Sequence, residues 1–275
     1  MMKSTVQPLN FFSAVMLFLG LMAGQTIIAF AAALCIYVFH IDYASSSWFM
    51  LIGYMLSMVL PLIFYQFFVL KPKGLDLKFD FKKNTFVTYI LAFPLMFGMM
   101  LIAEYLVTLV PTSGYFFGNL YKSFTNQMSA LAVDNVTMIL LTVILAPLLE
   151  EFLFRGLIQK SIIKTGLNPK ISILISAFIF GAFHVYPWQF VGAFLLGIVL
   201  GIVYEKTKSL VLPILLHAFN NLISALIMMK YGPDTTQGIL PIEPIYSFLI
   251  GVGIFNIFML AFTFYFRRKA SIFEG

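Results

Sequence analysis

Eight long apolar runs, at roughly 11–39, 48–70, 86–110, 136–158, 171–186, 188–204, 210–229 and 245–266, leave only short connections between them. About 20 apolar residues in a helix cross the hydrocarbon core of a bilayer, and inside lipid a spanning backbone must satisfy its own hydrogen bonds. The chain is therefore expected to fold as an all-α, polytopic membrane protein with about eight transmembrane helices. Composition agrees, with 61% hydrophobic and only 10% charged residues, against about 25% charged in soluble domains. No stretch remains for a soluble domain, so residues 1–275 read as a single integral membrane domain. The first run is too long for a signal-peptide core and reads as a retained helix. The fifth and sixth runs are short and meet at Tyr186-Pro187-Trp188, which predicts a tight helical hairpin with interfacial aromatics.

Charge gives an orientation. The formal net charge is +6, but the basic residues flank apolar runs, where topology accounts for them and no nucleic-acid partner is implied. In alternate connections, fifteen lysines and arginines fall on one side and only Lys122 and Lys230 on the other. The positive-inside rule then predicts both termini in the cytoplasm. The sole cysteine, Cys35, excludes an intramolecular disulfide and a multi-cysteine metal site.

Several features have structural readings. Phe117, Tyr121, Phe124, Met128 and Leu131 form one helical stripe; a helix lying along the outer membrane surface is favoured over a cap on an internal cavity. Between Lys71 and Lys83, Leu75, Leu77, Phe79 and Phe81 recur in period two in a lysine-containing segment, as in a surface hairpin or interfacial strand. Gly192, Gly197 and Gly201 point to close helix packing. Glu104 is expected to snorkel to water, and His40 to be interfacial.

The polar groups left inside apolar runs are Glu150, Glu151, Arg155, His184, His217, Asn220 and Asn221. Burying an ionised side chain costs about 2.5 kcal/mol or more on insertion scales, so each needs a partner or a use. Glu151 and Arg155, four apart, share a helix face and can pair, while Glu150 projects about 100° away. One glutamate is held and the other left without a fixed cation. A structural ion pair locking two helices would look the same on this stretch alone. His217 and Asn221 also share a face, and three helices turning these groups into one polar cavity is the simplest arrangement. Such a set, without a serine or cysteine nucleophile, suits attack of water on a carbonyl. Glu150 and His184 would polarise the water, while His217 and Asn221 would donate to the oxyanion. Zinc on Glu150, His184 and His217 is the competing use of the same groups.

The ordered motifs Glu150-Glu151-x-x-x-Arg155-Gly156, Phe180-x-x-x-His184 and His217-x-x-x-Asn221 resemble the CPBP (Abi) family, which includes type II CAAX prenyl endopeptidases and bacteriocin self-immunity proteins. The resemblance covers about residues 136–230, which would form the catalytic core. It implies an intramembrane endopeptidase in which Glu150 and His184 activate water, His217 and Asn221 form the oxyanion site, and Glu151 and Arg155 support them. The expected substrate is a peptide or protein with a hydrophobic or lipidated end, because a hydrogen-bonded helix interior in lipid resists hydrolysis. Membrane lipids are the other partner, and lysine-rich, Ile/Phe/Met-rich usage points to a bacterial plasma membrane. The alternative is an immunity protein that sequesters a bacteriocin without cleaving it. A proton-coupled transporter is a weaker reading, because no internal repeat is evident.

Overall fold

The computed structural model describes residues 6–40, 46–232 and 237–274. They form nine helices, and no strand occurs among the described residues. The order is α1 (Phe11–Tyr37), α2 (Trp48–Lys73), α3 (Phe86–Thr108), α4 (Tyr115–Leu131), α5 (Asn135–Ile163), α6 (Pro169–Ala182), α7 (Pro187–Thr207), α8 (Val211–Tyr231) and α9 (Pro244–Glu274). Seven are long and apolar enough to cross a membrane, which makes this a multi-pass membrane protein. The exceptions are amphipathic α4 and apolar α6. At 14 residues, α6 is about 21 Å long, short of the ~30 Å hydrocarbon core. The helical part of the fifth apolar run is thus shorter than that core, and the last four residues of the run form the turn into α7.

Local sequence sets the helix ends. Asn10 and Ser13 make a reciprocal capping box at the start of α1, and Asp134 accepts from the amides of Val136 and Thr137 at the start of α5. Asn168 caps α6 ahead of Pro169, and Pro187 opens α7. Proline is tolerated there because the first-turn amides have no intrahelical acceptor.

Glycines bring helices into backbone contact. A Cβ at Gly20 would lie 2.6 Å from the Pro61 Cα, and one at Gly24 would lie 2.9 Å from the Ser57 Cα, so α1 and α2 touch directly. Gly98 and Gly251 do the same for α3 and α9. In the α6–α7 hairpin, Gly197 and Gly201 lie under Phe180 and Ile173, as close packing requires. Gly192 does not: a Cβ there meets nothing within 4 Å, because this residue faces a cavity.

Two hydrophobic cores result. One joins α1, α2 and α5 through Met58, Leu62, Tyr65, Leu149, Leu153 and Phe154. The other joins α3, α7, α8 and α9 through Met96, Met99, Leu200, Leu212, Leu216 and Phe262. Glu150 and Glu151 sit beside Leu149 of the first core and His217 beside Leu216 of the second, so the polar cluster occupies the seam between them.

Two expectations are corrected. Residues 74–85 form neither helix nor paired strand. This segment is an extended strap in which Leu75, Leu77 and Phe79 pack on the first core, which accounts for the alternation. Phe79 stacks on Phe152 with centroids 4.5 Å apart, Asp80 pairs with Lys160 at 2.6 Å, and the Leu210 amide donates to the Asp80 carbonyl at 2.8 Å. The stripe on α4 is not spread on a membrane surface: Phe124, Met128 and Leu131 cap an internal cavity, and Tyr121 and Phe124 pack on Trp188 at 5.0 and 5.9 Å. Glu104 is partly buried, and its Oε1 accepts from the Ile239 amide at 2.6 Å, tying α3 to the chain before α9. His40 is exposed, with φ 53°.

Candidate active site

The site is built around the middle of α5, which is not a regular α-helix. Residues Leu140–Leu145 and Phe152–Gln159 are π-helical and flank the α-helical turns Ala146–Glu151 that carry both glutamates. In the first π segment the Ala146 amide donates to the Leu141 carbonyl. The next donor in that register belongs at position 147, which is proline and has none. The Thr142 carbonyl is left without its helical partner, and Asn221 of α8 supplies one, with Nδ2 2.7 Å away. Asn220 then donates to the Asn221 Oδ1 at 2.9 Å, orienting the amide. Pro147 thus accounts for how α8 is docked at this level.

The two glutamates differ in surroundings. Glu151 is fully buried, and its Oε1 accepts from Arg155 Nη1 at 2.7 Å and from His217 Nδ1 at 2.9 Å. Arg155 also donates to the Gly197 carbonyl at 3.1 Å and lies over the Phe180 ring, 4.4 Å from its centroid. Glu151 and Arg155 therefore pair as the spacing predicts, and the pair reaches further, holding His217 on one side and α7 on the other. Glu150 makes no bond to Arg155. Its Oε1 accepts from the Tyr54 hydroxyl of α2, and its Oε2 is buried without a hydrogen-bond partner among the described residues. His217 Nε2 lies 3.7 Å from that oxygen.

The histidine tautomers follow from their partners. The Phe180 carbonyl can only accept, so His184 Nδ1, 2.9 Å away, donates to it and leaves Nε2 as the basic nitrogen. His217 donates Nδ1–H to Glu151, which turns Nε2 toward Glu150. His184 lies just beyond the end of α6, in a turn where the Tyr186 amide donates to the His184 carbonyl at 2.6 Å and Val185 has φ 59°. A β-branched residue in the left-handed region is strained, and the strain sits next to the histidine.

Glu150, His184, His217 and Asn221 all line one cavity of about 580 Å³, bounded by α2, α3, α5, α7 and α8 and capped by α4. Its walls are mainly apolar, with Met96, Met100, Leu196, Met128 and Met228. A second cavity of about 410 Å³, lined by Met58, Gln127, Phe183, Val185 and Gln189, shares Tyr54, Glu150 and His184 with the first. The early end of α6 gives His184 its access to the same space as Glu150. His184 and Glu150 share the cavity wall without a direct hydrogen bond. Glu150, His184 and His217 do not close on one point as a zinc site requires: among the described residues no group of three His, Cys, Asp or Glu could hold a metal ion.

Tyr54 was not singled out in the sequence, and Phe180 entered only as the first position of its motif. Tyr54 contacts Glu150 across 96 positions and looks like any aromatic in its run. Phe180 packs on Arg155, His184 and His217 together.

Residues 132–223 match the family described as Type II CAAX prenyl endopeptidase Rce1-like. This is the family recognised from the three motifs, and the matched stretch contains all of them. No curated protein and no solved structure matches the chain.

Proposed function

We propose that this membrane protein, similar over residues 132–223 to the type II CAAX prenyl endopeptidases, is an intramembrane endopeptidase that hydrolyses its substrate with water. The observation that carries the reading is the unequal treatment of two adjacent glutamates. Glu151 is held through Oε1 by Arg155 and His217, and its own unpartnered Oε2 lines neither cavity, whereas Glu150 faces a cavity large enough for a short peptide segment with its Oε2 unpartnered. A fixed carboxylate with a spare lone pair is what a general base requires.

In the proposed reaction, Glu150 Oε2 and His184 Nε2 hold the water, and Glu150 takes its proton as the oxygen adds to the scissile carbonyl carbon. The carbonyl oxygen, now carrying the charge, is met by His217 and Asn221. Asn221 keeps a second amide hydrogen beyond the one given to Thr142. His217 donates from Nε2 only with a second proton. When the tetrahedral species collapses, the C–N bond breaks and the amine leaves with the proton carried by Glu150. Residues 136–230 form the core that does this, with zinc playing no part in the steps described.

The larger cavity's methionine- and leucine-rich walls suit an apolar or lipidated end of a peptide or protein, and the flexible methionines adapt to varied shapes. The bacterial plasma membrane is the proposed location. A bacteriocin-sequestering role needs no unpartnered carboxylate oxygen and is the second reading. The test is to compare membrane peptidomes of cells carrying the wild type with those carrying Glu150→Gln. Substrates that persist uncut only in the variant are expected. Identical peptidomes, with bacteriocin protection intact in both, would favour sequestration.

A further inference from the structure

Tyr54 is the only described residue that donates a hydrogen bond to Glu150, and it comes from α2, outside residues 132–223. Its hydroxyl bonds to Oε1, while Oε2 has no partner. Its ring also borders both cavities, at the wall where Glu150 and His184 stand between them. We propose that Tyr54 is a positioning residue for the reaction: by occupying Oε1 it fixes the plane of the Glu150 carboxylate and reserves Oε2 for the attacking water. The inference rests on the hydrolytic reading above.

The terminal torsion of a glutamate is broad, so packing alone does not orient its carboxylate. Arg155 cannot orient it, being held by Glu151 and the Gly197 carbonyl. His217 faces Oε2 at 3.7 Å, beyond hydrogen-bond reach. One donor on one oxygen gives a single pose and leaves the other oxygen free. A second donor would lower basicity further, and no donor would let the group turn toward His217. General-base efficiency depends on geometry before acidity, which makes one neutral donor a suitable solution. The position of that donor is well determined. One turn along α2, Met58 is buried in the first core, and the Ser57 hydroxyl, which donates to the Gly53 carbonyl, accepts from Gln25 of α1. The Gly20 and Gly24 contacts press α1 against the same helix.

The alternative is that Tyr54 merely ties α2 to α5. Tyr54→Phe keeps the ring and removes only the hydroxyl, and the protein in lipid nanodiscs is assayed with an internally quenched peptide carrying an S-farnesylated cysteine. The expected result is kcat lower by about 10- to 100-fold, KM within about twofold, and unchanged thermal stability. In a Glu150→Gln background the same change is expected to cost nothing more, because there is no base left to position. Infrared spectra of 13C-glutamate protein supply a readout without substrate: the carboxylate band lost in Glu150→Gln should shift in Tyr54→Phe. Unchanged kcat, a loss explained by stability, or an unshifted Glu150 band would overturn the inference. If the wild type cleaves no peptide but the band shifts, the hydrolytic reading fails while the Tyr54–Glu150 contact stands.

Discussion

At the scale of single residues, adjacent and chemically identical glutamates are separated by what surrounds them. Removing Glu151 leaves Arg155 buried with 1% exposure and only a carbonyl and a ring face for company, a loss on the order of 3–5 kcal/mol for a broken buried pair. Glu151→Gln should therefore lower membrane abundance and thermal stability in detergent, and Glu151→Gln with Arg155→Met should recover part of both by removing the two charges together. A Glu151→Gln protein as stable as the wild type would contradict this. The pair was legible because a four-residue spacing is local. Tyr54 was not, since a helix contact across 96 positions leaves no mark on either run. Pro147 was legible in principle, as a missing donor inside an apolar helix, but which side chain answers the Thr142 carbonyl depends on how α8 packs. Ideal spans put His184 nearer the outer face than Glu150; that both line one cavity follows from the end of α6 at Ala182, which cannot be read from an apolar run that continues to Val185.

At the scale of elements, periodicity identified faces and left their partners open. The α4 stripe is a real face, yet whether it meets lipid or a cavity is decided by Tyr186 and Trp188 at the start of α7. The strap at 74–85 alternates as a strand does, but its outward edge pairs with helix ends instead of a second strand. The three glycines of α7 look equivalent in sequence and are not. Gly197→Ala would place a Cβ 3.1 Å from the Phe180 ring and 3.3 Å from the Ala177 backbone, and Gly201→Ala would place one 2.8 Å from Ile173 and 2.9 Å from Gln159. Both should lower thermal stability and displace Arg155 or Gln159, whose acceptors are the Gly197 and Gly201 carbonyls. Gly192→Ala meets open space and should be neutral or stabilise by about 0.5–1 kcal/mol, the gain of alanine over glycine in a helix. Equal losses at all three positions would contradict the packing described.

At the scale of the whole molecule, two apolar cores enclose a polar seam capped at one end by α4 and bound at the other by the strap. The all-helical architecture was legible because lipid permits so few alternatives, and the seam was legible because charge in apolar runs is costly. Cavity shape was not, since it depends on which glycines let helices touch. The strap's partners, Lys160, Ser209 and Leu210, come from connections assigned to the lysine-rich side, while Trp188 donates to the Val110 carbonyl at the other end. With Cys35→Ala as background, a cysteine at position 78 should be labelled only from the cytoplasm, and one at position 119 only from outside. The central claim is that Glu150 is the base, and its most direct measurement is cleavage by purified Glu150→Gln in nanodiscs alongside the wild type. This change keeps the shape and removes proton abstraction, so cleavage should be slower by roughly 10² or more, with insertion and thermal stability retained. Undiminished cleavage by a folded Glu150→Gln protein would contradict it.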